Sequence, residues 1–136
     1  MKPVGLIIVG LGARARVWLQ VAQANPDIRI AALCDPDPAA RARVKEKFPN
    51  IPIGADIADI ITTEADAILL CTPPGGREGQ IAAACSQGLA ILAEKPLSDD
   101  VTTAARFVDM AEASGVHLIV GLNFRYLEVT QKMRSL

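Results

Sequence analysis

One stretch constrains the fold of this chain more than any other: the apolar run Val4–Val9 followed by Gly10-Leu11-Gly12-Ala13-Arg14-Ala15. An apolar run that stops at two glycines one residue apart, then meets a small residue three positions on, reads as strand, tight turn and helix. It fits the G-x-G-x-x-G/A fingerprint of dinucleotide-binding folds. Gly10 permits the sharp turn, Gly12 lets a pyrophosphate approach the backbone, and Ala15 lets the helix lie close to the strand. The free N–H groups of Leu11, Gly12, Ala13 and Arg14 and the positive end of the helix dipole then face the phosphates.

The rest of the chain alternates strand and helix signals. The first helix should run to Ala24 with Val17, Val21 and Ala24 on its buried face, until Asn25-Pro26-Asp27 breaks it. A second strand spans Ile28–Cys34 and ends at Asp35-Pro36-Asp37-Pro38, where Asp37 caps a second helix that buries Ala40, Val44 and Phe48. Residues 51–53 read as a short strand, and Asp56 caps a short helix through Ile61. Residues 67–71 make a fourth strand. The loop Thr72-Pro73-Pro74-Gly75-Gly76 suits neither ladder nor helix. A helix over 77–87 closes at Gly88, and Ala90–Ala93 is a fifth strand. Ser98 should cap the next helix, with Val101, Ala104, Ala105, Val108 and Ala111 as its buried stripe and Gly115 at its end. Residues 116–120 form a sixth strand and 127–136 a last helical segment. This alternation predicts an α/β domain, a doubly wound parallel sheet of the Rossmann type.

Composition agrees. Half the chain, 51%, is hydrophobic but only 4% is aromatic, so Ile, Leu, Val and Ala must fill the core of a single 136-residue domain. A net charge of -1 without any basic block argues against a nucleic-acid partner. No stretch reaches the roughly 20 apolar residues of a membrane span, so no membrane partner is expected. Met1-Lys2, an apolar run and Ala13-Arg14-Ala15 mimic a signal peptide, but cleavage there would destroy the glycine turn. The cysteines Cys34, Cys71 and Cys85 have no metal spacing and read as buried thiols of a cytoplasmic protein; no metal site is expected.

Asp35 is the second part of the fingerprint. It stands at the end of the second strand, slightly beyond the ~20 residues after the glycines at which an acid accepts the ribose hydroxyls. A carboxylate there repels a 2′-phosphate, so NAD is favoured over NADP. Arg14 and Arg16 can add positive charge near the phosphates, although Arg16 fits better as an exposed helix residue.

The third part is Ile91-Leu92-Ala93-Glu94-Lys95-Pro96-Leu97. Together with Cys71-Thr72-Pro73-Pro74 through Gly88, the opening glycines, Asp35-Pro36 and Val120-Gly121-Leu122-Asn123-Phe124-Arg125-Tyr126, it resembles the nucleotide-binding half of the glucose–fructose oxidoreductase / inositol dehydrogenase (Gfo/Idh/MocA) family. The resemblance covers essentially the whole chain, and Glu94-Lys95-Pro96 is its most specific motif. It implies hydride transfer between a nicotinamide and a hydroxyl-bearing carbon of a sugar or cyclitol. It assigns Lys95 the catalytic place beside the nicotinamide, hydrogen-bonded to the reacting oxygen, with Glu94 next to it and a cis peptide before Pro96. It implies that Thr72 and Pro73 flank the ribose and nicotinamide, and that Asn123 and Arg125 face the substrate. Arg77 stands where the family pattern often has histidine, as does Trp18 on the first helix, which reads as packing. His117 reads as structural.

The resemblance also implies a domain division. Residues 1–121 are the dinucleotide-binding domain, and 122–136 begin the connection to a substrate domain that this sequence lacks. That domain would supply the proton-transfer groups, so the chain alone is expected to be inactive, and its apolar C-terminal segment is expected to drive a homodimer. Its partners are then a dinucleotide and, through the substrate domain, a sugar-like molecule. Two other readings exist: a stand-alone NAD-binding or sensing module, and a methyltransferase, against which Glu94-Lys95-Pro96 and Thr72-Pro73 argue.

Overall fold

The computed structural model describes residues 2–135; Met1 and Leu136 lie outside them. Six strands, β1 (Val4–Val9), β2 (Ile28–Cys34), β3 (Ile53–Gly54), β4 (Ala67–Leu70), β5 (Ala90–Ala93) and β6 (Leu118–Val120), form one sheet in the order β3-β2-β1-β4-β5-β6. Every neighbouring pair is parallel. The helices are α1 (Ala13–Ala24), α2 (Pro38–Lys47), α3 (Arg77–Ser86), α4 (Val101–Ala113) and α5 (Glu128–Arg134). None of the described helices is long and apolar enough to cross a membrane. The chain winds outward from β1 to β3, then restarts on the other side with β4. The order therefore reverses between β1 and β4, which opens a crevice at their carboxyl ends.

The core lies on both faces of the sheet because side chains alternate along each strand. Ile7 and Val9 of β1 and Ile68 and Leu70 of β4 join Ile81 of α3 and Phe107 of α4. Ile8 and Leu69 point the other way and meet Ala15 and Leu19 of α1 and Ala40, Val44 and Phe48 on the α2 side. A register shift between Leu6 and Ile7 along β2 lets Ala31 and Ala32 both join the first cluster.

Several expectations need correction. The buried face of α1 is Ala15, Leu19 and Ala22, while Val17, Val21 and Ala24 are exposed. Both sets have helical spacing, but they differ by two residues, roughly 200° around the helix. Periodicity alone could not choose between them. In α4, Phe107 and Ala111 are buried; Val101 is 86% exposed and Ala105 and Val108 are also exposed. Asp100, not Ser98, caps this helix, its carboxylate accepting the Thr103 N–H at 2.8 Å. β3 starts two residues late because Pro52 has no N–H and contributes only its carbonyl, which accepts from Leu33 N–H at 2.9 Å. β6 starts at Leu118 because the Val116 N–H closes the end of α4 on the Ala111 carbonyl, after Gly115 turns at φ 65°. The last segment is a 3₁₀ turn, Asn123–Tyr126, followed by α5, with no buried residue in either.

Candidate functional site

The crevice at the switch point is built on the Gly10 turn. Gly10 has φ 86°, and a Cβ there would stand 2.9 Å from the Thr72 amide nitrogen. Both facts require glycine, and the close approach seats the β1 turn against the loop after β4. The Gly10 N–H bonds the Cys34 carbonyl at 2.8 Å, which ties the turn to β2 as well. Gly12 differs. It is the N-cap of α1 with φ -75°, no side chain caps the helix, and a Cβ on it would meet nothing within 4 Å. The amino end of α1 thus faces open space with its first-turn N–H groups uncapped. Ala15 is fully buried against the sheet, as its place in the fingerprint requires.

Leu11 serves the turn differently from the expectation. Its side chain is buried in the core and its N–H is engaged by Asp35 Oδ2 at 2.6 Å. Asp35 Oδ1 accepts from the Asp37 N–H at 2.8 Å, and Asp37 in turn caps α2 through Ala39 and Ala40. The half-buried Asp35 therefore bridges the glycine turn and α2 while keeping lone pairs on each oxygen for further donors. Arg41 Nη1 donates to the carbonyls of Asp35 and Pro36, both at 2.8 Å, which fixes this corner.

The loops after β4 and β5 form the other wall. Thr72 Oγ1 donates to Gln80 Oε1 at 2.7 Å, and Pro73 is exposed. Glu94 is buried, and its Oε1 accepts from Trp18 Nε1 at 2.7 Å and pairs with Arg14 Nε at 3.1 Å. Trp18 is therefore a hydrogen-bonding partner as well as packing. Arg14, expected near phosphate, is held on this carboxylate. Lys95 is exposed and has no side-chain partner among the described residues, and the Lys95–Pro96 peptide is cis. Arg77 is 1% exposed and reaches back beneath both loops: Nη2 donates to the Thr72 carbonyl at 2.6 Å, and Nη1 donates to the carbonyls of Glu94, Pro96 and Leu97. Burial pulls its guanidinium below the ordinary arginine value, against the opposing influence of Cys71, Glu94 and Asp99.

Two cavities share Thr72 and Pro73. One of about 620 Å³ runs from Val9 and Cys34 past Pro36 and Asp56. The smaller, about 260 Å³, is lined by Arg14, Cys71, Arg77, Glu94 and Lys95. Asn123 lies outside both, in an apolar groove of about 450 Å³ bounded by Val17, Trp18, Val21 and Ile119, and Arg125 lines none of these spaces. Burial raises the Cys34 thiol to about 11 and the Cys71 thiol to about 12, with nearby carboxylates adding to the effect. Both stay protonated near neutral pH and cannot act as nucleophiles there. Among the described residues no group of three His, Cys, Asp or Glu is placed to hold a metal ion.

The profile of an oxidoreductase family with an NAD-binding Rossmann fold (Gfo/Idh/MocA) matches residues 4–122. The chain belongs to that family. Among curated relatives it is 30% identical to the rhizopine catabolism protein MocA of Rhizobium meliloti over 94% of this chain and 40% of that one. It is also 30% identical to inositol 2-dehydrogenase of Corynebacterium glutamicum over 95% of this chain and 39% of the relative. The chain thus spans about 40% of the length of MocA. A crystal structure of scyllo-inositol dehydrogenase from Lactobacillus casei, with bound NAD(H) and scyllo-inositol, superposes with a TM-score of 0.89 at 20% identity, over 98% of this chain and 40% of that one. At that identity the likeness speaks for the fold.

The resemblance carried by Glu94-Lys95-Pro96 and the glycine turn is thereby confirmed over residues 4–122. Sequence reasoning missed the polar network behind the motif. Arg77 looked like a departure from the pattern and Trp18 like packing. The Glu94 carbonyl lies 17 residues from Arg77 and the Glu94 carboxylate 76 residues from Trp18, where no local pattern could reveal them.

Proposed function

We propose that this chain is the dinucleotide-binding part of an oxidoreductase that moves a hydride between a nicotinamide and a hydroxyl-bearing carbon of a sugar or cyclitol. The observation that carries this reading is the uncapped amino end of α1 at Gly12, one residue after the Leu11 N–H that Asp35 binds. The fit of the residues to a dinucleotide rests on that space: no atom of the chain would contact a Gly12 Cβ.

In this reading the N–H groups of Gly12 and Ala13 and the α1 dipole take the pyrophosphate, with Gly10 and Ala15 supplying turn and packing. Leu11 acts through its bond to Asp35, which accepts the ribose hydroxyls. Thr72 and Pro73 separate the two cavities, the larger for the adenosine end and the smaller for the nicotinamide end. The bound cofactor supplies hydride donation or acceptance. Lys95 then holds the substrate oxygen by a hydrogen bond and exchanges its proton. Arg14 and Trp18 hold Glu94, so α1 and the Lys95 loop keep one geometry. Residues 1–121 form this unit, and 122–136, with Asn123 and Arg125, lead to the substrate side. The related inositol dehydrogenases support the substrate class.

Asp35 makes cofactor choice testable. NADH should bind more tightly than NADPH, because a 2′-phosphate would face the Asp35 carboxylate. Asp35→Ser with Pro36→Arg should narrow or invert that preference. Equal affinity of the parent chain for both cofactors would remove Asp35 from its assigned role.

We also propose that the chain forms a homodimer through its apolar C-terminal region. Val17, Val21, Ile119, Leu122, Phe124, Tyr126, Leu127, Val129 and Met133 are all exposed. Each large apolar side chain left in water forgoes about 1.5–3 kcal/mol, and contiguous patches promote association. Sedimentation at micromolar concentration should show a dimer, and Tyr126→Glu with Val129→Glu should return it to a monomer. A parent chain that sediments as a monomer contradicts the proposal.

A further inference from the structure

We propose that Arg77 is the positioning residue for Lys95, a guanidinium clasp that locks the loops after β4 and β5 together. The proposal rests on the reading that Lys95 serves the nicotinamide end. Arg77 is the first residue of α3, yet its side chain is among the largest of the fully buried ones. Its Nη1 donates to the Glu94 carbonyl on one side of Lys95 and to the Pro96 carbonyl on the other, the latter at 2.6 Å. Nη2 reaches across to the Thr72 carbonyl at 2.6 Å. Lys95 is therefore held by the backbone on both flanks while its own side chain stays free in the cavity.

The chemistry of the clasp is specific to arginine. Among the described residues Arg77 has no carboxylate in salt-bridge range, and its Nε has no hydrogen-bond partner. Burying a cation without an anion is costly, and an apolar side chain would fill the same space without that cost. What an apolar side chain cannot do is satisfy carbonyls from two separate loops at once. A planar fork with donors on two nitrogens can; the point charge of lysine cannot span both. Arg77 holds the Glu94 backbone carbonyl while Trp18 and Arg14 of α1 hold its carboxylate, so releasing the backbone disturbs the bond to Trp18. Trp18 is the sole tryptophan, so its emission reports whether Glu94 keeps its place.

The test compares the parent chain with Arg77→Lys and Arg77→Ala, using NADH, ADP-ribose and Trp18 emission without nucleotide. ADP-ribose lacks the nicotinamide and reports the remainder of the site. Both variants should lose about tenfold or more in NADH affinity while ADP-ribose affinity holds within about twofold. Trp18 emission should shift in both. Millimolar guanidinium chloride should recover NADH binding in Arg77→Ala but not in Arg77→Lys, and sodium chloride at equal ionic strength should not. A residue that merely supports the fold would lower both affinities together, and that result overturns the proposal. So does an Arg77→Lys variant that binds NADH like the parent. Should Arg77→Ala fail to fold, Arg77→Lys alone decides by the same comparison. A parent chain that binds neither nucleotide refutes the functional reading instead; unchanged Trp18 emission in Arg77→Lys then overturns the clasp by itself.

Discussion

Gly12→Val should leave the chain folded and abolish its affinity for a dinucleotide. The two halves of that result have different causes. Gly12 has φ -75°, which any L-residue adopts, and a Cβ there meets no atom of the protein within 4 Å. The fold therefore has room for the side chain, apart from a loss on the order of 1 kcal/mol for an apolar N-cap. The same side chain would stand where the phosphates must approach the first turn of α1. A loss of at least about a hundredfold in NADH affinity is expected, or twice the 1.4 kcal/mol of a tenfold change. Fluorescence titration with NADH measures it, and circular dichroism confirms that the variant is folded. A folded variant that binds like the parent would show that the turn does not cradle phosphate. Gly10 behaves oppositely: its positive φ and its 2.9 Å approach to the Thr72 nitrogen make it a requirement of the fold itself.

The largest stability effect is expected at Phe107. Its side chain is 1% exposed, in the cluster that joins α3 and α4 to the sheet. Phe107→Ala should cost about 3–5 kcal/mol, because transfer free energy is lost and the cavity collapses only in part. Against the 5–15 kcal/mol total of a typical domain, that is a large share. Val101→Ala, on the same helix at an 86% exposed position, should change stability by less than about 0.5 kcal/mol. Urea unfolding of the two variants measures the contrast. A large loss from Val101→Ala with little from Phe107→Ala would restore the helix face expected from sequence.

That pair shows where sequence stops being a sufficient guide. The order of strands and helices was legible because β1, β2 and β4 are apolar runs bounded by glycine, proline and aspartate, and because some connections carry a clear start or stop signal. Asp37 and Gly115 act as such signals do. Helix faces were less legible. Val17-Val21-Ala24 and Ala15-Leu19-Ala22 have similar spacing, and only the packing of α1 on the sheet selects the second set. In the site, Gly10, Gly12 and Asp35 stood out because their chemistry depends on local backbone geometry, and Lys95 because Glu94-Lys95-Pro96 carries the family resemblance. The Arg77 and Trp18 contacts depend on loops that meet only when the sheet forms, so the residues that hold the motif were hidden although the motif itself was plain.

The central claim is that the crevice between β1 and β4 takes a nicotinamide dinucleotide. Side-by-side titration of the purified chain with NADH and S-adenosylmethionine tests it most directly, since a glycine turn followed by an acid after the second strand also serves methyltransferases. Saturable binding of NADH at one site per chain, lost in Gly12→Val, with no binding of S-adenosylmethionine, is the predicted result. Saturable binding of S-adenosylmethionine with no response to NADH would contradict it.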